Sequence, residues 1–453
     1  DLHKAIRRQR QMCIRDRLNI THINKIKKAD IVLNGLTVIA GNNDSGKSTV
    51  GKLLFSVIKS LSNADRLSSQ SQDRIMRVNS ALLYAYVTHA EKESGEKIKG
   101  VILPSTSTAF LKDAESFAND KRWVSQLKRK LEKINIVPQQ RAKIIRSIDQ
   151  LVQLATESSN SEKMLERAFQ SIIGAEFLNS ICTYNTEMSE ICFSEGQGKD
   201  ITIQIKENKV TEFKCKTETF VKDATLVESP LYIHLIDILA SAQTLGEHHY
   251  FNVAGIGKDV LRPLINYHIK DMAQKLDAFR FSLPDNVYSP FIQKAQTLTD
   301  NITGGHFYFD NAKRNMYWKK GEQNYAPVNV ASGIKAFGVL QMLLETQALD
   351  ESKILIWDEP ENHLHPEWQI KFASVLVELA KAGIPILISS HSPYFIQAVR
   401  YFADKLSMND FVNYYLAEET EDELCVLEDV TDDLNRIFMK LAQPMNEIVN
   451  LGL

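Results

Sequence analysis

The first stretch of the chain that could do chemistry is a glycine-rich turn, Gly41-Asn-Asn-Asp-Ser-Gly46-Lys47-Ser48, which fits the pattern G-x-x-x-x-G-K-[ST]. Its glycines permit a tight backbone that aims N–H groups at phosphate oxygens. Lys47 would reach the β- and γ-phosphates of a nucleotide, and the Ser48 hydroxyl would ligate Mg²⁺. The alternative is a Gly/Ser-rich turn that binds nothing. We predict nucleotide contacts from nine consecutive residues: Gly41, Asn42, Asn43, Asp44, Ser45, Gly46, Lys47, Ser48 and Thr49.

A second chemical feature is a pair of carboxylates at the end of an apolar run, Ile354-Leu-Ile-Trp-Asp358-Glu359. The run predicts a buried strand whose carboxyl end lies beside the phosphate loop, because ligands bind at that edge of a parallel sheet. Asp358 suits contact with Mg²⁺, directly or through the next shell of ligands. Glu359 is placed to polarise an attacking water as a general base. The alternative is a solvated pair of acids at a strand end.

Both motifs need elements that position them, and the apolar pattern predicts such elements. Leu36–Ala40 is a short β-branched run typical of a buried strand, and residues 48–60 have the apolar spacing of a helix. Residues 384–388 predict another buried strand, with a helix over residues 367–382 before it. This alternation of strands and helices indicates a parallel sheet and therefore an α/β fold.

The long segment between the two motifs has a different pattern. Residues 64–189 have helical spacing and few strand signals, whereas residues 201–205 and 210–215 alternate like strands of a small antiparallel sheet. We therefore predict a discontinuous α/β domain, residues 18–63 and 190–453, interrupted by a helical insertion over residues 64–189.

The residues after the apolar run carry a family resemblance. Asp358-Glu-Pro-Glu-Asn-His-Leu-His-Pro366 resembles the Walker B motif and D-loop of the ABC-type ATPases, a class that includes SMC, Rad50 and OLD-like proteins. Ser389-Ser-His-Ser-Pro393 follows the next strand, and the resemblance implies that His391 is the switch histidine that contacts the γ-phosphate. The rival interpretation is a zinc site formed by His363, His365 and His391, although H-x-H with one distant histidine is weak support.

In that class the active site is completed across a dimer by a Ser/Gly-rich helix start. Ser332-Gly-Ile-Lys335 lies before a predicted helix, 26 residues ahead of Asp358, and resembles a degenerate signature motif of the S-G-x-[QK] type. The resemblance implies that Ser332 donates its hydroxyl to the γ-phosphate held by a partner, that Gly333 allows close approach and that Lys335 adds positive charge. The alternative is an ordinary helix N-cap.

Some features depart from the family pattern. Ser48 and Ser332 are 284 residues apart, which indicates an insertion, and residues 64–189 lack the sustained heptads of a long coiled coil. Leu226-Val-Glu228-Ser-Pro230 stands where a Q-loop belongs, but an acid replaces the expected Gln. The region before the phosphate loop offers only His22 and Asn24 as contacts for adenine.

The resemblance implies both a fold and a function. The fold is α/β, a P-loop NTPase of ABC-ATPase type with a mixed β-sheet, an antiparallel β subdomain and a helical insertion. The chain resembles AAA family ATPases of bacterial anti-phage defence, such as the ATPase subunit of the PARIS and Septu systems, on the strings Ala331-Ser-Gly-Ile-Lys-Ala336 and Ile388-Ser-Ser-His-Ser-Pro393. Such a protein binds ATP and Mg²⁺, hydrolyses ATP slowly to ADP and phosphate, and forms a homodimer or higher homo-oligomer.

The same resemblance predicts a sensor or scaffold for a separate effector, a nuclease or a toxin. OLD-family nucleases add a C-terminal Toprim domain, and only 62 residues follow His391, so we expect the effector on another chain. DNA or a phage protein are the further candidate partners. One alternative is a Rad50/SMC-like DNA repair or DNA-binding ATPase. Another is a transporter ATPase, which would be expected to have a clear Q-loop and the sequence L-S-G-G-Q.

Composition excludes several classes. The chain has 453 residues, 44% of them hydrophobic and 24% charged, as in ordinary globular proteins rather than disordered or collagen-like ones. No apolar run approaches the ~20 residues that span a bilayer, so we expect a cytoplasmic protein without membrane association. The five cysteines are odd in number and show no C-x-x-C spacing, which favours inert thiols.

The net charge of −2 conceals opposite local charges. Residues 121–146 carry nine bases against one acid, which suits either a surface for DNA or an acidic partner, or the solvated face of two helices. Residues 418–433 carry nine acids and no base, as an exposed hairpin or a docking surface would. Residues 1–17 have a net charge of +4 and resemble translated adapter sequence, which favours a non-native leader over a basic arm.

Overall fold

The computed structural model describes residues 16–95, 97, 99, 103–106, 110, 114–133, 135–157, 161–196, 200–216, 219–236, 265–281 and 290–450. Most of the predicted leader, residues 1–17, lies outside these ranges. The chain divides into two compact units: Asp1–Ser62 with Ile172–Leu453, and Asn63–Ser171.

The first unit is built on strands. In chain order they are β1 (Asp16–Ile23), β2 (Ile26–Leu33), β3 (Leu36–Ala40), β4 (Ser189–Glu195), β5 (Ile201–Lys206), β6 (Lys209–Cys215), β7 (Asp223–Val227), β8 (His306–Asp310), β9 (Asn315–Lys320), β10 (Gln323–Tyr325), β11 (Lys353–Asp358), β12 (Ile386–Ser390), β13 (Val412–Glu419) and β14 (Cys425–Asp429). Across the described ranges, eleven of them form one sheet, ordered β6-β5-β4-β1-β2-β14-β13-β3-β12-β11-β7, and the other three form a small sheet, β10-β9-β8.

The large sheet has a parallel half and a mainly antiparallel half. Strands β7, β11, β12, β3 and β13 run parallel, while β2, β1, β4, β5 and β6 pair antiparallel to one another. All five residues of β3 are buried, because a parallel strand is covered on both faces. In contrast, β5 alternates between buried and partly exposed positions, as a strand with one solvated face does. This mixed sheet with its antiparallel subdomain confirms the predicted fold class.

Helices cover the sheet and fill the second unit. In chain order they are α1 (Lys47–Ser62), α2 (Ala64–Ser94), α3 (Ala114–Asn119), α4 (Lys121–Lys133), α5 (Pro138–Glu157), α6 (Ser161–Glu176), α7 (Tyr267–Asp277), α8 (Pro290–Thr303), α9 (Ser332–Glu345), α10 (Pro366–Lys381), α11 (Pro393–Lys405) and α12 (Asn435–Asn450). Helix α1 packs on β7, β11 and β12. It approaches so closely that a Cβ on Gly51 would lie 3.0 Å from Ile356 Cγ2.

The second unit has a core of its own. In α4, Trp123, Leu127 and Leu131 are buried at a spacing of four residues, which puts them on one face of the helix. They pack with Ile144 and Ile148 of α5. These three residues form the apolar stripe of an amphipathic helix, and the basic residues of α4 lie outside that stripe.

Four charged side chains form a buried cluster, here named the ion quartet, between α1, β7 and α7: Lys59, Asp223, Asp271 and Lys275. Lys59 contacts both aspartates, and Lys275 Nζ lies 2.9 Å from Asp223 and 3.0 Å from Asp271. Burial lowers the pKa of Lys59, but the charges of Asp271 and Asp223 outweigh it, so the pKa is raised. The quartet therefore ties the helix after the phosphate loop to a strand and a helix distant in sequence.

We expect Asp271→Asn to lower the free energy of unfolding by about 3–5 kcal/mol, because it leaves two buried lysines with one carboxylate. Urea titration followed by circular dichroism measures this change. Glu367→Gln is the matched control, since the exposed pair of Glu367 with Lys371 contributes little. Identical unfolding midpoints for Asp271→Asn and the wild-type chain would contradict a stabilising role for the quartet.

Candidate nucleotide-binding site

The predicted phosphate loop joins β3 to the first turn of α1. Gly46 has a φ of 81°, in the left-handed region that favours glycine. A Cβ at this position would also lie 2.9 Å from Ile26 Cγ1, so the loop has no room for a side chain there. The α1 N-terminus follows at once, and its free N–H groups and dipole favour an anion at the loop. The local geometry is therefore that of a phosphate-binding turn.

Lys47 lies inside this loop. Its Nζ donates hydrogen bonds to the carbonyl oxygens of Gly41, at 3.0 Å, and Asn42, at 2.7 Å. Ser45 Oγ donates to the same Asn42 carbonyl at 2.7 Å. Burial lowers the pKa of Lys47, and the nearby carboxylates, with Glu359 foremost, oppose that shift. The ammonium is thus held inside the loop by two backbone carbonyl oxygens.

The two predicted magnesium ligands meet in the structure. The Ser48 hydroxyl hydrogen-bonds to Asp358, and Ser389 Oγ donates to the same carboxylate. Burial raises the pKa of Asp358. A cavity of ≈ 10 Å³ lies here, lined by Lys47, Ser48, Asp358, Ser389 and Glu228 among others. Hydroxyl and carboxylate oxygens are the ligands that Mg²⁺ prefers, so these residues fit that ion.

The predicted base and the predicted switch histidine also lie together. His391 Nδ1 is 3.1 Å from Glu359 Oε1, and Asn362 Nδ2 donates to Glu359 Oε2 at 2.9 Å. The Glu359 N–H donates to the Ser389 carbonyl at 3.0 Å, which fixes its backbone to the next strand. Glu359 has a φ of 48°, and a non-glycine residue in this conformation stores strain of the kind that clusters at functional sites.

Glu361, which the sequence analysis left without a role, organises the turn that carries His391. Its side chain is 4% exposed, and Oε1 accepts hydrogen bonds from Ser390 Oγ at 2.7 Å and from the N–H groups of His391 and Ser392 at 2.9 and 3.1 Å. Burial raises the pKa of this carboxyl. The signal that could have found it is the second acid of Asp358-Glu-Pro-Glu361, directly after a strand of the parallel sheet.

The predicted signature lies at the start of α9. Ala331, rather than Ser332, is the N-cap residue, and its side chain makes no capping hydrogen bond. Gly333 packs closely on the segment after β11, because a Cβ there would lie 3.1 Å from Leu364 and 3.3 Å from Trp368. Burial lowers the pKa of Lys335. None of these signature residues lines the cavity beside the phosphate loop.

Glu228, at the proposed Q-loop position, lies in the site. Its Oε1 is 2.7 Å from Lys52 Nζ of α1, and its Oε2 is 3.0 Å from His268 Nε2. Burial would raise the pKa of Glu228, but the hydrogen bonds and charges of His268 and Lys52 outweigh it and lower the pKa to about 2. The structure therefore puts a second ionised carboxylate beside the cavity that Asp358 lines.

The two residues suggested for adenine lie in the turn between β1 and β2. His22 and Asn24 both have positive φ angles, and their carbonyl oxygens accept hydrogen bonds from Ser189 and Thr183. These contacts give His22 and Asn24 a structural role in forming the turn. The role of both residues toward adenine stays a prediction.

The histidines of the rival zinc interpretation have separate environments. His365 caps α10, where its Nδ1 accepts from the Glu367 N–H at 3.3 Å, and His391 faces Glu359. His363 has a φ of 65° and presents its carbonyl oxygen toward Gly333. Within the ranges given above, no group of three or more His, Cys, Asp or Glu side chains is placed to hold a metal ion.

Both charged stretches are partly neutralised; in the basic one Lys128 pairs with Asp149 at 2.7 Å. In α4 and α5 the residues Arg129, Lys133, Lys143 and Arg146 are exposed on the side opposite the core. The acidic stretch forms the β13–β14 hairpin, where Arg436 pairs with Glu418 at 3.0 Å and Glu428 at 2.6 Å. Of the helices in the described residues, none combines the length and apolarity needed to cross a bilayer.

The class of protein follows from this arrangement. A phosphate loop after β3, a carboxylate pair after β11 and a histidine after β12 lie at one edge of a mixed sheet, as in P-loop ATPases of the ABC type. Residues 258–397 match the family model described as "AAA domain, putative AbiEii toxin, Type IV TA system". The match covers less than half of the chain, and the site has the residue types of a nucleotide-binding ATPase.

Solved structures give distant likenesses. An SMC head domain from Thermotoga maritima is 13% identical, with a TM-score of 0.36, and the match covers 92% of this chain and 99% of that one. An SMC head domain with an extended coiled coil, bound to the C-terminal domain of ScpA and derived from Pyrococcus furiosus, is 11% identical over 95% and 99%, with a TM-score of 0.40. An ABC-transporter ATP-binding cassette in its ADP conformation is 11% identical over 97% and 99%, with a TM-score of 0.32. No curated protein matches the chain.

Proposed function

We propose that this protein is a Mg-ATP-dependent ATPase whose hydrolysis is slow and regulatory. The observation that carries the proposal is the convergence of Lys47, Ser48, Asp358, Glu359 and His391 at one edge of the parallel sheet. These side chains come from three places, the phosphate loop, the end of β11 and the turn after β12, and their types match phosphoryl transfer to water. A chance cluster of polar loop ends would not reproduce this set in this order.

In the proposed reaction each side chain has one task. Lys47 and the N–H groups of the loop hold the phosphates, while Ser48 and Asp358 hold the Mg²⁺, which supplies neutralising charge when bound. Glu359 accepts a proton from the attacking water, Asn362 orients one of its oxygens, and His391 lies 3.1 Å from the other. Glu361 keeps His391 in place through its backbone N–H. The step thus relies on positioning and electrostatics.

We further propose that two copies close around two Mg-ATP molecules. Ser332 is partly exposed at the start of α9 and lies outside the cavity that the phosphate loop shares with Asp358, which supports a role at the site of a second copy; Gly333 and Lys335 are buried. Closure driven by ATP and release after hydrolysis would then change the shape presented to another protein. As a defence ATPase, the protein would act as the sensor or scaffold of a separate nuclease or toxin in the cytoplasm.

A second candidate, an SMC- or Rad50-like ATPase that binds DNA, is favoured by the exposed basic face of α4 and α5. We expect the charge reversals Arg129→Glu and Lys130→Glu together to lower the slope of log affinity against log salt by up to about 2 in a DNA shift assay. Lys319→Glu with Lys320→Glu, an exposed pair on β9, is the matched control. An unchanged shift in the first variant would remove the case for this face.

For the hydrolytic role of Glu359, we expect Glu359→Gln to slow ATP turnover by about 10²–10⁴-fold and to accumulate the ATP-bound dimer, because the amide cannot accept the proton of water. Phosphate release and light scattering after size exclusion with ATP measure the two effects. Glu367→Gln, an exposed acid on α10, is the control and should turn over like the wild type. Wild-type turnover in Glu359→Gln would refute the assignment of the base.

For the signature, we expect Ser332→Arg to abolish ATP-driven dimerisation while each monomer still binds ATP, because a large cation would meet the nucleotide site of the second copy. Analytical ultracentrifugation with ATP and titration of a fluorescent ATP analogue separate the two properties. If Ser332→Arg dimerises as the wild-type protein does, the proposal that Ser332 acts across an interface is wrong.

A further inference from the structure

A buried chain of three side chains ends at the nucleotide site. It joins Glu176 at the end of α6, His268 in the first turn of α7, and Glu228 directly after β7. His268 Nδ1 lies 2.7 Å from Glu176 Oε2, and His268 Nε2 lies 3.0 Å from Glu228 Oε2. The His268 N–H also donates to Glu176 Oε1 at 2.7 Å, so that Glu176 fixes the ring and the backbone of His268 together.

This chain is deeply buried and charged. The His268 side chain is 0% exposed and Glu176 is 5% exposed. Burial lowers the pKa of His268, but the hydrogen bonds and charges of Glu176 and Glu228 outweigh it and raise the pKa to about 9. At neutral pH an imidazolium therefore lies between two carboxylates. Burying such charges costs free energy that an apolar or neutral polar cluster would avoid.

The far end of the chain explains why Glu228 is held so firmly. Its second oxygen meets Lys52 at 2.7 Å, and Tyr232 adds a further hydrogen bond. The carboxylate lines the same cavity as Ser48 and Asp358. The carboxylate therefore balances Lys52 and His268 and, because it lines this cavity, also brings negative charge to the nucleotide site.

We propose that His268, fixed by Glu176, is a positioning residue that holds the Glu228 carboxylate beside the cation cavity, and that this carboxylate makes nucleotide binding depend on a divalent cation. The inference rests on the proposed function, because it takes Lys47 and Ser48 to hold the phosphates. A triphosphate without a cation meets two carboxylates, Asp358 and Glu228. A divalent cation between them and the phosphates turns that repulsion into attraction.

The sum of the charges on these side chains gives the direction in which Glu228→Gln changes nucleotide binding. Glu176 and Glu228 balance Lys52 and His268, so the four groups sum to zero at neutral pH. Glu228→Gln leaves an excess positive charge beside the phosphates. Metal-free nucleotide then binds more tightly. The affinity of the Mg²⁺ complex rises less, because the excess positive charge repels its cation.

The test measures the dissociation constant of a fluorescent ATP analogue with Mg²⁺ and with a chelator in place of Mg²⁺. The readout is the ratio of the chelator value to the Mg²⁺ value, which needs no turnover. We expect Glu228→Gln to lower this ratio by roughly tenfold. A ratio equal to that of the wild-type protein would overturn the proposed effect of the carboxylate. His306→Asn, a partly exposed histidine on β8, is the control and should keep the wild-type ratio.

Two more variants test the positioning. His268→Asn releases Glu228, and Glu228→Asp keeps the charge but shortens its reach by one methylene. We expect Glu228→Asp, which keeps all four charges, to lower the ratio by a factor comparable to that of Glu228→Gln. His268→Asn also removes a positive charge, which by itself would raise the ratio, so we expect a smaller decrease there, caused by the displaced carboxylate. Wild-type ratios in these variants would show that His268 does not position the carboxylate. If His268→Asn does not fold, Glu228→Asp decides the question.

One further variant separates this inference from the proposed function. Lys47→Ala should lose Mg-ATP binding if the phosphate loop holds the nucleotide. Unchanged binding in Lys47→Ala would overturn the proposed function itself. Lost binding in Lys47→Ala, together with a wild-type ratio in Glu228→Gln, would overturn only the inference about Glu228 and His268.

Discussion

A lysine ammonium inside a protein must find acceptors or counter-charges, since an unpaired buried charge strongly destabilises the fold. Helix α1 places three lysines toward the interior, and each of them contacts acceptors or carboxylates there. Lys47 turns back into the loop, Lys52 meets the carboxylate after β7, and Lys59 enters the ion quartet. The position of α1, and of the loop before it, is therefore set by charge pairing as well as by apolar packing.

The same constraint links the loop to elements that are far away in sequence. The ion quartet brings α7 against β7, and α7 then carries His268 to within hydrogen-bonding distance of Glu228. Phe55 of α1 packs edge-on against the His268 ring, with 6.3 Å between centroids, which closes the group on its apolar side. The ion pairs that neutralise the buried lysines thus also help to position the Glu228 carboxylate at the nucleotide site.

The sequence predicted the parts of the site that are local. A phosphate loop and a strand ending in two acids can be recognised because their residues are adjacent and their chemistry dictates their types. The parallel sheet followed from the alternation of apolar runs with helical spacing, although the strand predicted at 384–388 forms at Ile386–Ser390. That shift is small because the apolar run is short and its end is set by pairing with β3 and β11.

Long-range partners could not be predicted in this way. Glu176 and His268 are 92 residues apart on two helices, and only the folded chain brings them together with Glu228. A lone histidine in a helical pattern is usually an ordinary polar residue, so the sequence around His268 does not predict two carboxylate partners. Glu361 escaped assignment for a related reason, because its three donors come from the turn after β12, about thirty positions later.

The carboxyls at this edge of the sheet are held in opposite ways, and the difference bears on how a cation enters. Burial raises the pKa values of Asp358 and Glu361, whereas His268 and Lys52 lower that of Glu228. A cation ligand must be deprotonated before it binds, so a group with a raised pKa loses cation affinity first as the pH falls. Glu228 keeps its charge under the same conditions. Asp358 and Glu228 both line the cavity, so its negative potential depends in part on a residue that the phosphate-loop and strand-end motifs do not contain, and on the buried histidine that holds it.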